Sequence, residues 1–336
     1  MKRNHSIDTL RTIATLLVIL VHVSASYVVN SRNNLTFDNS FWVGNIVDSF
    51  CRICVPLFVL ISGMFLVGRK ETFKQSYYKR ASRILVPLIS WTIIYILYRV
   101  AISFIAGKPI YIKSLLGSII LGEPYYHMWY LFMIIGLYLI TPILNNSIYY
   151  ISRNTLWTVA LLLLLFGMIN SSYDQILNNN VSFILWFINY LGYFILGYLI
   201  KDSKRRFSFL VLSSAYIICS ILIAVLSMYT LKQYDNLYFY GYLSPLVIIG
   251  SLSFYKLFHQ LKLKENIFSK ISYLSLGIYL IHAGVLSVLT KVLSILEINM
   301  FNNPIIGIPM KFGVTFFISI VAAWIISKIK YLRKII

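Results

Sequence analysis

Arg11 and His22 stand eleven residues apart in IDTLRTIATLLVILVHVSAS (7–26), a stretch that is otherwise almost wholly apolar. At 100° per residue this spacing returns to within about 20° of one helix face, with His22 about 16 Å further along the axis. Imidazole takes and returns protons near neutral pH, and a guanidinium holds phosphate or developing negative charge. Three more such groups interrupt apolar runs: Arg52 in RICVPLFVLISGMFL, His127 in EPYYHMWYLF and His282 in GIYLIHAGV. Each has an ordinary alternative. Asp8 can pair with Arg11 at i,i+3 and Asp48 with Arg52 at i,i+4, while a lone histidine can be a packing hydrogen bond. Counted from the ends of their segments, however, His22, Arg52, His127 and His282 reach comparable depth from four separate spans. Walls of one site would be arranged in this way. Elsewhere, Arg80 and Arg83 lie i,i+3 in YYKRASRILVPLISW with Lys79 beside them, spaced to bracket a phosphate group. A basic loop that only sets topology is the plain alternative.

The elements that must position these groups are membrane helices. Of 336 residues, 59% are hydrophobic and 12% charged, with a mean hydropathy of +0.78, whereas ordinary globular chains carry about 25% charge. Apolar runs of about 20 residues recur, enough to cross the hydrocarbon core as helix. The expectation is an all-α, polytopic integral membrane protein forming one domain over 1–336. Ten spans are predicted, near 7–29, 45–67, 84–106, 127–149, 154–170, 182–200, 208–228, 239–255, 271–290 and 305–327. The first is too long and too polar inside for a cleavable signal peptide.

The net charge of +20 is a matter of topology. Alternate threading gathers 21 of the 30 Lys and Arg residues on one side and leaves Arg32, Lys108, Lys113, Lys232 and Lys291 in the opposite loops. By the positive-inside rule both termini are cytoplasmic. Anionic lipid is the expected partner of this charge, and no nucleic acid is needed. A homo-oligomer is compatible with the sequence.

Other features carry less. The stretch YIKSLLGSIIL (111–121) is too short to span and suits the outer interface. Pro56, Pro87, Pro142 and Pro245 invite kinks in or beside spans. Cys51-x-x-Cys54 offers a redox or metal pair, but thiols one turn apart on a membrane helix are ordinarily packing residues. No metal is expected. Asn34-Leu35-Thr36 fits a glycosylation sequon, relevant only in a eukaryotic secretory pathway.

Taken together, these residues resemble the acyltransferase-3 family of bacterial membrane acyltransferases. Arg11-x10-His22 matches the family's span-1 signature, and residues 52–66 resemble its span-2 motif. Arg80-x-x-Arg83 resembles its cytoplasmic arginine pair, HMWYLFMIIGLYLITPIL (127–144) its His-x-Trp segment, and IYLIH (278–282) its late-span histidine. The similarity extends over nearly the whole chain. It is closest to short members that acetylate surface polysaccharide, and this chain has no appended esterase-like domain. The resemblance implies transfer of an acyl group, acetyl above all, from cytoplasmic acyl-CoA to a hydroxyl of a surface glycan or its lipid-linked precursor, in a bacterial cytoplasmic membrane. On this reading His22 is the base or a transient acyl carrier. Arg11 lies on the donor route, Arg52 or a backbone donor faces the oxyanion, and His127 completes the site. Lys79, Arg80 and Arg83 hold the CoA phosphates, and Glu123 is the candidate for orienting His22. A secondary transporter or an exporter of glycan intermediates, with His22 in a proton relay, is the competing class.

Overall fold

The computed structural model describes residues 3–34, 36–177 and 183–336, leaving aside the side chains of 34, 79–82, 176, 177 and 183. Among the described residues it is helical throughout with no strand, and nine helical segments are long and apolar enough to cross a membrane. The segment expected as a further span, 182–200, forms a helix at Trp186–Lys201 with a 3-10 turn at Phe183–Leu185 before it. Its sixteen residues are about 24 Å long, and most of them are buried, so it sits inside the bundle as a short inner helix.

Helix α1 (His5–Asn34) starts where the Asn4 side chain accepts from the Ser6 and Ile7 amides. It buries Ile7, Leu10, Ala14, Val18 and Val21, a stripe at helical spacing. Its first turns are tied to the loop before α11 (Ile267–Ile271) and to α11 itself. Ser6 donates to the Leu261 carbonyl at 2.5 Å, Thr12 to that of Phe268 at 2.7 Å, and Arg3 to that of Ser269 at 2.6 Å. The other end of the chain comes to the same place, with the Trp91 indole donating to the Ile335 carbonyl and Ile336 lying against Gly277. Both termini therefore share one end of the bundle. At the opposite end Arg32 grips Asp235 at 2.6 and 2.8 Å, which holds this exposed carboxyl below the usual carboxylate range.

The second expected span is broken. Helix α2 (Asn39–Cys51) ends at Arg52 and α3 (Cys54–Leu66) begins two residues later. Pro56 supplies the reason. It has no N–H to give to the carbonyl of residue 52, so the ladder stops and a new helix starts with the proline in its first turn. Pro245 likewise opens α10 (Pro245–Gln260). Pro87 and Pro142 lie inside α4 (Phe73–Ile105) and α6 (Trp129–Ser147), which run on through them.

The centre is built on close backbone contact between α3 and α8 (Trp186–Lys201). A Cβ on Gly63 would overlap the Phe194 carbonyl, and one on Gly197 would overlap that of Leu60. Helix α3 stops at Gly68, whose φ of +77° suits glycine. There Asn145 of α6 accepts from the Gly68 amide at 2.8 Å and donates to the Leu66 carbonyl at 3.1 Å. That clamp sets the direction in which the chain leaves for Arg69 and Glu71. Between α4 and α6 the expected interfacial stretch forms α5 (Ile112–Ile120), none of it buried. The remaining long helices are α7 (Arg153–Leu177), α9 (Phe209–Tyr234), α12 (Ser275–Ile295) and α13 (Pro304–Lys328).

Candidate functional site

Arg11 and His22 both face the interior of the bundle, in different spaces. Arg11 lines a cavity of about 490 Å³ together with Arg69, Arg83 and Glu71. Helix direction gives its depth. Helix α3 runs towards the termini, so Ser62 and Leu66 are nearer the mouth than Phe58, while α12 runs away from them, so Ser272 and Ser275 are nearer the mouth than Tyr279. On α6, Tyr138 is outer and Tyr130 inner by the same rule. The cavity thus has a mouth of arginines and serines, apolar walls, and an inner end at Phe58, Tyr130 and Tyr279. Arg11 is only loosely paired, its guanidinium 3.9 Å from Asp8 and over the Phe65 ring, and Asp8 makes its close contact to Arg3 at 2.8 Å.

Tyr130 and Tyr279 meet edge to face with ring centroids 5.6 Å apart. Both also line a second, small cavity of about 20 Å³ with His22, His127, Cys54 and Tyr242. Such a volume holds about one water. These two tyrosines are the residues that the linings of the two spaces have in common.

The structure brings three of the sequence's histidines together. His22 and His282 stack with centroids 5.3 Å apart, and His127 meets His282 edge-on at 5.2 Å. His282 is fully buried and its Nδ1 lies 2.5 Å from the Tyr279 carbonyl. The carbonyl can only accept, so Nδ1 carries the hydrogen and Nε2 is left with a free lone pair and no partner. His127 comes from the turn before α6. Tyr279 donates its hydroxyl to the His127 carbonyl, and Tyr95 packs against the ring. Neither ring nitrogen of buried His127 has an aligned hydrogen-bond partner, the Leu280 carbonyl being its nearest. His22 is the partly open member: its ring is edge-on to Tyr126, itself 46% exposed, and Ser26 one turn on is exposed.

Other expected site residues fall elsewhere. Arg52 is not among the groups lining either cavity. Its Nε lies 2.5 Å from Asp48, which is completely buried, in an ion pair rather than an aligned hydrogen bond. Its guanidinium also covers the Tyr240 ring at 4.0 Å. Glu123 is exposed, and the rings in contact with His22 are those of Tyr126 and His282. Arg83 lines the larger cavity, while the side chains of Lys79 and Arg80 lie outside the described residues. Sequence reading missed Tyr130, Tyr279 and Tyr242. Only the i,i+3 relation of Tyr279 to His282 marked any of them. Among the described residues no cluster of His, Cys, Asp and Glu is arranged to hold a metal.

The protein is thus a multi-pass helical membrane protein that gathers its imidazoles in the interior of the bundle. The family model described as an acyltransferase domain, that of the acyltransferase-3 family, matches residues 4–327, and the chain belongs to that family of membrane acyltransferases. Comparison with curated proteins and with solved structures gave no match.

Proposed function

We propose that the protein is an O-acyltransferase that takes an acyl group from CoA at the end bearing both termini and delivers it to a hydroxyl at the opposite end. One observation carries this reading: an arginine-lined cavity and the histidine cavity share the same two tyrosines, Tyr130 and Tyr279, in their linings. A long donor with an anionic head and a thioester tip fits that layout. Arg83, Arg69 and Arg11 suit its phosphates, and the apolar walls at Ile61, Leu131 and Ile134 suit the pantetheine arm. The positive-inside distribution supports a cytoplasmic position for this mouth, on the side where acyl-CoA is made.

At the inner end His22 is the general base for the acceptor hydroxyl. It is the imidazole with an open flank, past Tyr126 and Ser26, through which a sugar can approach. His127 and His282 surround it with neutral rings, and a dry site strengthens every dipole aimed at the oxyanion. Arg52 is placed to set the break between α2 and α3 through Asp48, so backbone amides of α3 are the better oxyanion donors. The small volume beside His22 favours acetyl, the acyl group that asks the least movement of the walls. The acceptor is a surface glycan or its lipid-linked precursor, and the membrane is the bacterial cytoplasmic membrane.

The test is transfer in proteoliposomes loaded with labelled acetyl-CoA on one side, read as label on the surface glycan, with glycan mass spectrometry of cells with and without the protein. Donor binding with label appearing on glycan is expected. Movement of unmodified glycan with no affinity for CoA would replace the enzyme by an exporter.

A further inference from the structure

The break between α2 and α3 places a thiol in the small cavity. Cys54 is 1% exposed and begins α3, thirteen residues long, and it lines the cavity that also holds His22 and His127. Cys51, one turn earlier, and Cys219 do not line it. His127 supplies an independent sign that the cavity is built for chemistry: it is 1% exposed, lines the same space, and neither ring nitrogen has an aligned partner. Buried imidazole nitrogens left in this state are costly unless something else uses them.

We propose that Cys54 is a covalent acyl carrier in this reaction, a role that rests on the acyl-CoA reading given above. Two hydrogen-bond donors lie beside the Cys54 sulfur. At the first turn of α3 the amides of Cys54 and Val55 are free of helix partners, because helices leave their first N–H groups unpaired. The Val55 amide and the Tyr242 hydroxyl adjoin the sulfur, and Arg52 lies two residues earlier in the chain.

The chemistry balances without any further reagent. His127 takes the Cys54 proton, and the thiolate attacks the thioester carbonyl of acyl-CoA. The C–S bond to CoA breaks, the CoA sulfur leaves with the electron pair, and His127 returns the proton to it. A thioester has been exchanged for a thioester, so the step is nearly thermoneutral and free CoA can depart down the arginine-lined cavity. The acceptor hydroxyl then loses its proton to His22 and attacks the Cys54 thioester. The sulfur leaves as thiolate and recovers a proton from His22. Donor and acceptor never need to occupy the bundle together, which a small cavity behind two tyrosine rings does not permit.

The experiment uses the purified full chain in detergent with labelled acetyl-CoA and no acceptor, quenched in acid and mapped by peptide mass spectrometry. The expected result is one acetyl group on Cys54, released by neutral hydroxylamine, present in Cys51→Ala and absent from Cys54→Ala. With acceptor present, Cys54→Ala should transfer at least about 10²-fold more slowly, as loss of a nucleophile does, while binding acetyl-CoA normally. Cys54→Ser, nearly isosteric, guards against a folding artefact and should hold a stable oxygen ester that turns over slowly. Label on His22, or near-normal transfer by Cys54→Ala, overturns the carrier while leaving the acyltransferase reading intact. Wild-type protein that neither binds acetyl-CoA nor transfers label defeats that reading as well.

Discussion

His282 lies flat against His22, ring centroids 5.3 Å apart and planes 26° from parallel. At that distance two imidazolium charges would repel by about 3 kcal/mol even at an effective dielectric of about 20, so the pair holds at most one positive charge. His282 is buried while His22 has an open flank past Tyr126, so His22 is the member an acceptor can reach.

His22→Gln keeps a hydrogen-bonding side chain and removes the basic nitrogen. Transfer should fall by about 10²–10⁴-fold, with expression, detergent stability and acetyl-CoA affinity nearly unchanged. His282→Gln should cost less, because that ring touches its neighbours rather than the acceptor. A His22→Gln protein that keeps a tenth of wild-type transfer rules His22 out as the base.

Arg83→Gln should weaken donor binding by one to two decades, since a charge-assisted contact contributes about 1.5–3 kcal/mol. Lys74 is exposed and does not line the cavity, so Lys74→Gln is the matched control. Equilibrium binding of labelled CoA to purified protein measures both. Equal and slight effects would return the loop to a purely topological role.

Asp48 and Arg52 form a buried pair whose halves depend on each other. Asp48→Ala leaves the guanidinium uncompensated, and breaking such a pair costs about 3–5 kcal/mol. Asp48→Asn combined with Arg52→Gln should recover much of that loss. Thermal unfolding in detergent reads the difference. A double variant as unstable as Asp48→Ala would show that the pair does not set the stability of the break.

Gly63→Ala drives a methyl group into the Phe194 carbonyl, and Gly197→Ala drives one into that of Leu60. Each should lower stability by about 1–3 kcal/mol or prevent folding, as overpacking does. At Gly313 nothing lies within 4 Å of a new Cβ, so Gly313→Ala should be neutral. The measure is the monodisperse fraction on size exclusion after a heating series. Backbones locked this closely also leave α3 and α8 little room to slide, which a rocking-bundle carrier requires.

How much of this could be read from the chain differs from residue to residue. The stripe of Arg11 and His22 was legible because helix periodicity is rigid over eleven residues, and the meeting of His22, His127 and His282 followed from counting depth along apolar runs. Arg52 was legible in type but not in role. Depth alone cannot separate a group facing a cavity from one facing Asp48 a turn away. The second span read as continuous although Pro56 was in view, because a proline can kink a helix or end it and only the packing decides. Tyr130, Tyr242 and Tyr279 were hidden among 26 tyrosines, most of which serve equally well as interfacial belts. The 182–200 run was legible as helix, yet hydropathy does not distinguish a full span from a short inner helix wrapped by its neighbours.

The tyrosine pair between the two cavities has a bioenergetic consequence. Three adjoining imidazoles joined by water to an arginine-lined vestibule would make a proton wire across the better part of a membrane, and a membrane that leaks protons cannot store energy. With Tyr130 and Tyr279 edge to face in the linings of both cavities, such a file would have to pass between two aromatic rings, which an acyl group on a flexible arm can press apart more readily than a column of water. On the acyltransferase reading proposed above, the two rings that part donor from acceptor would also insulate a proton-motive force from the enzyme built through the membrane.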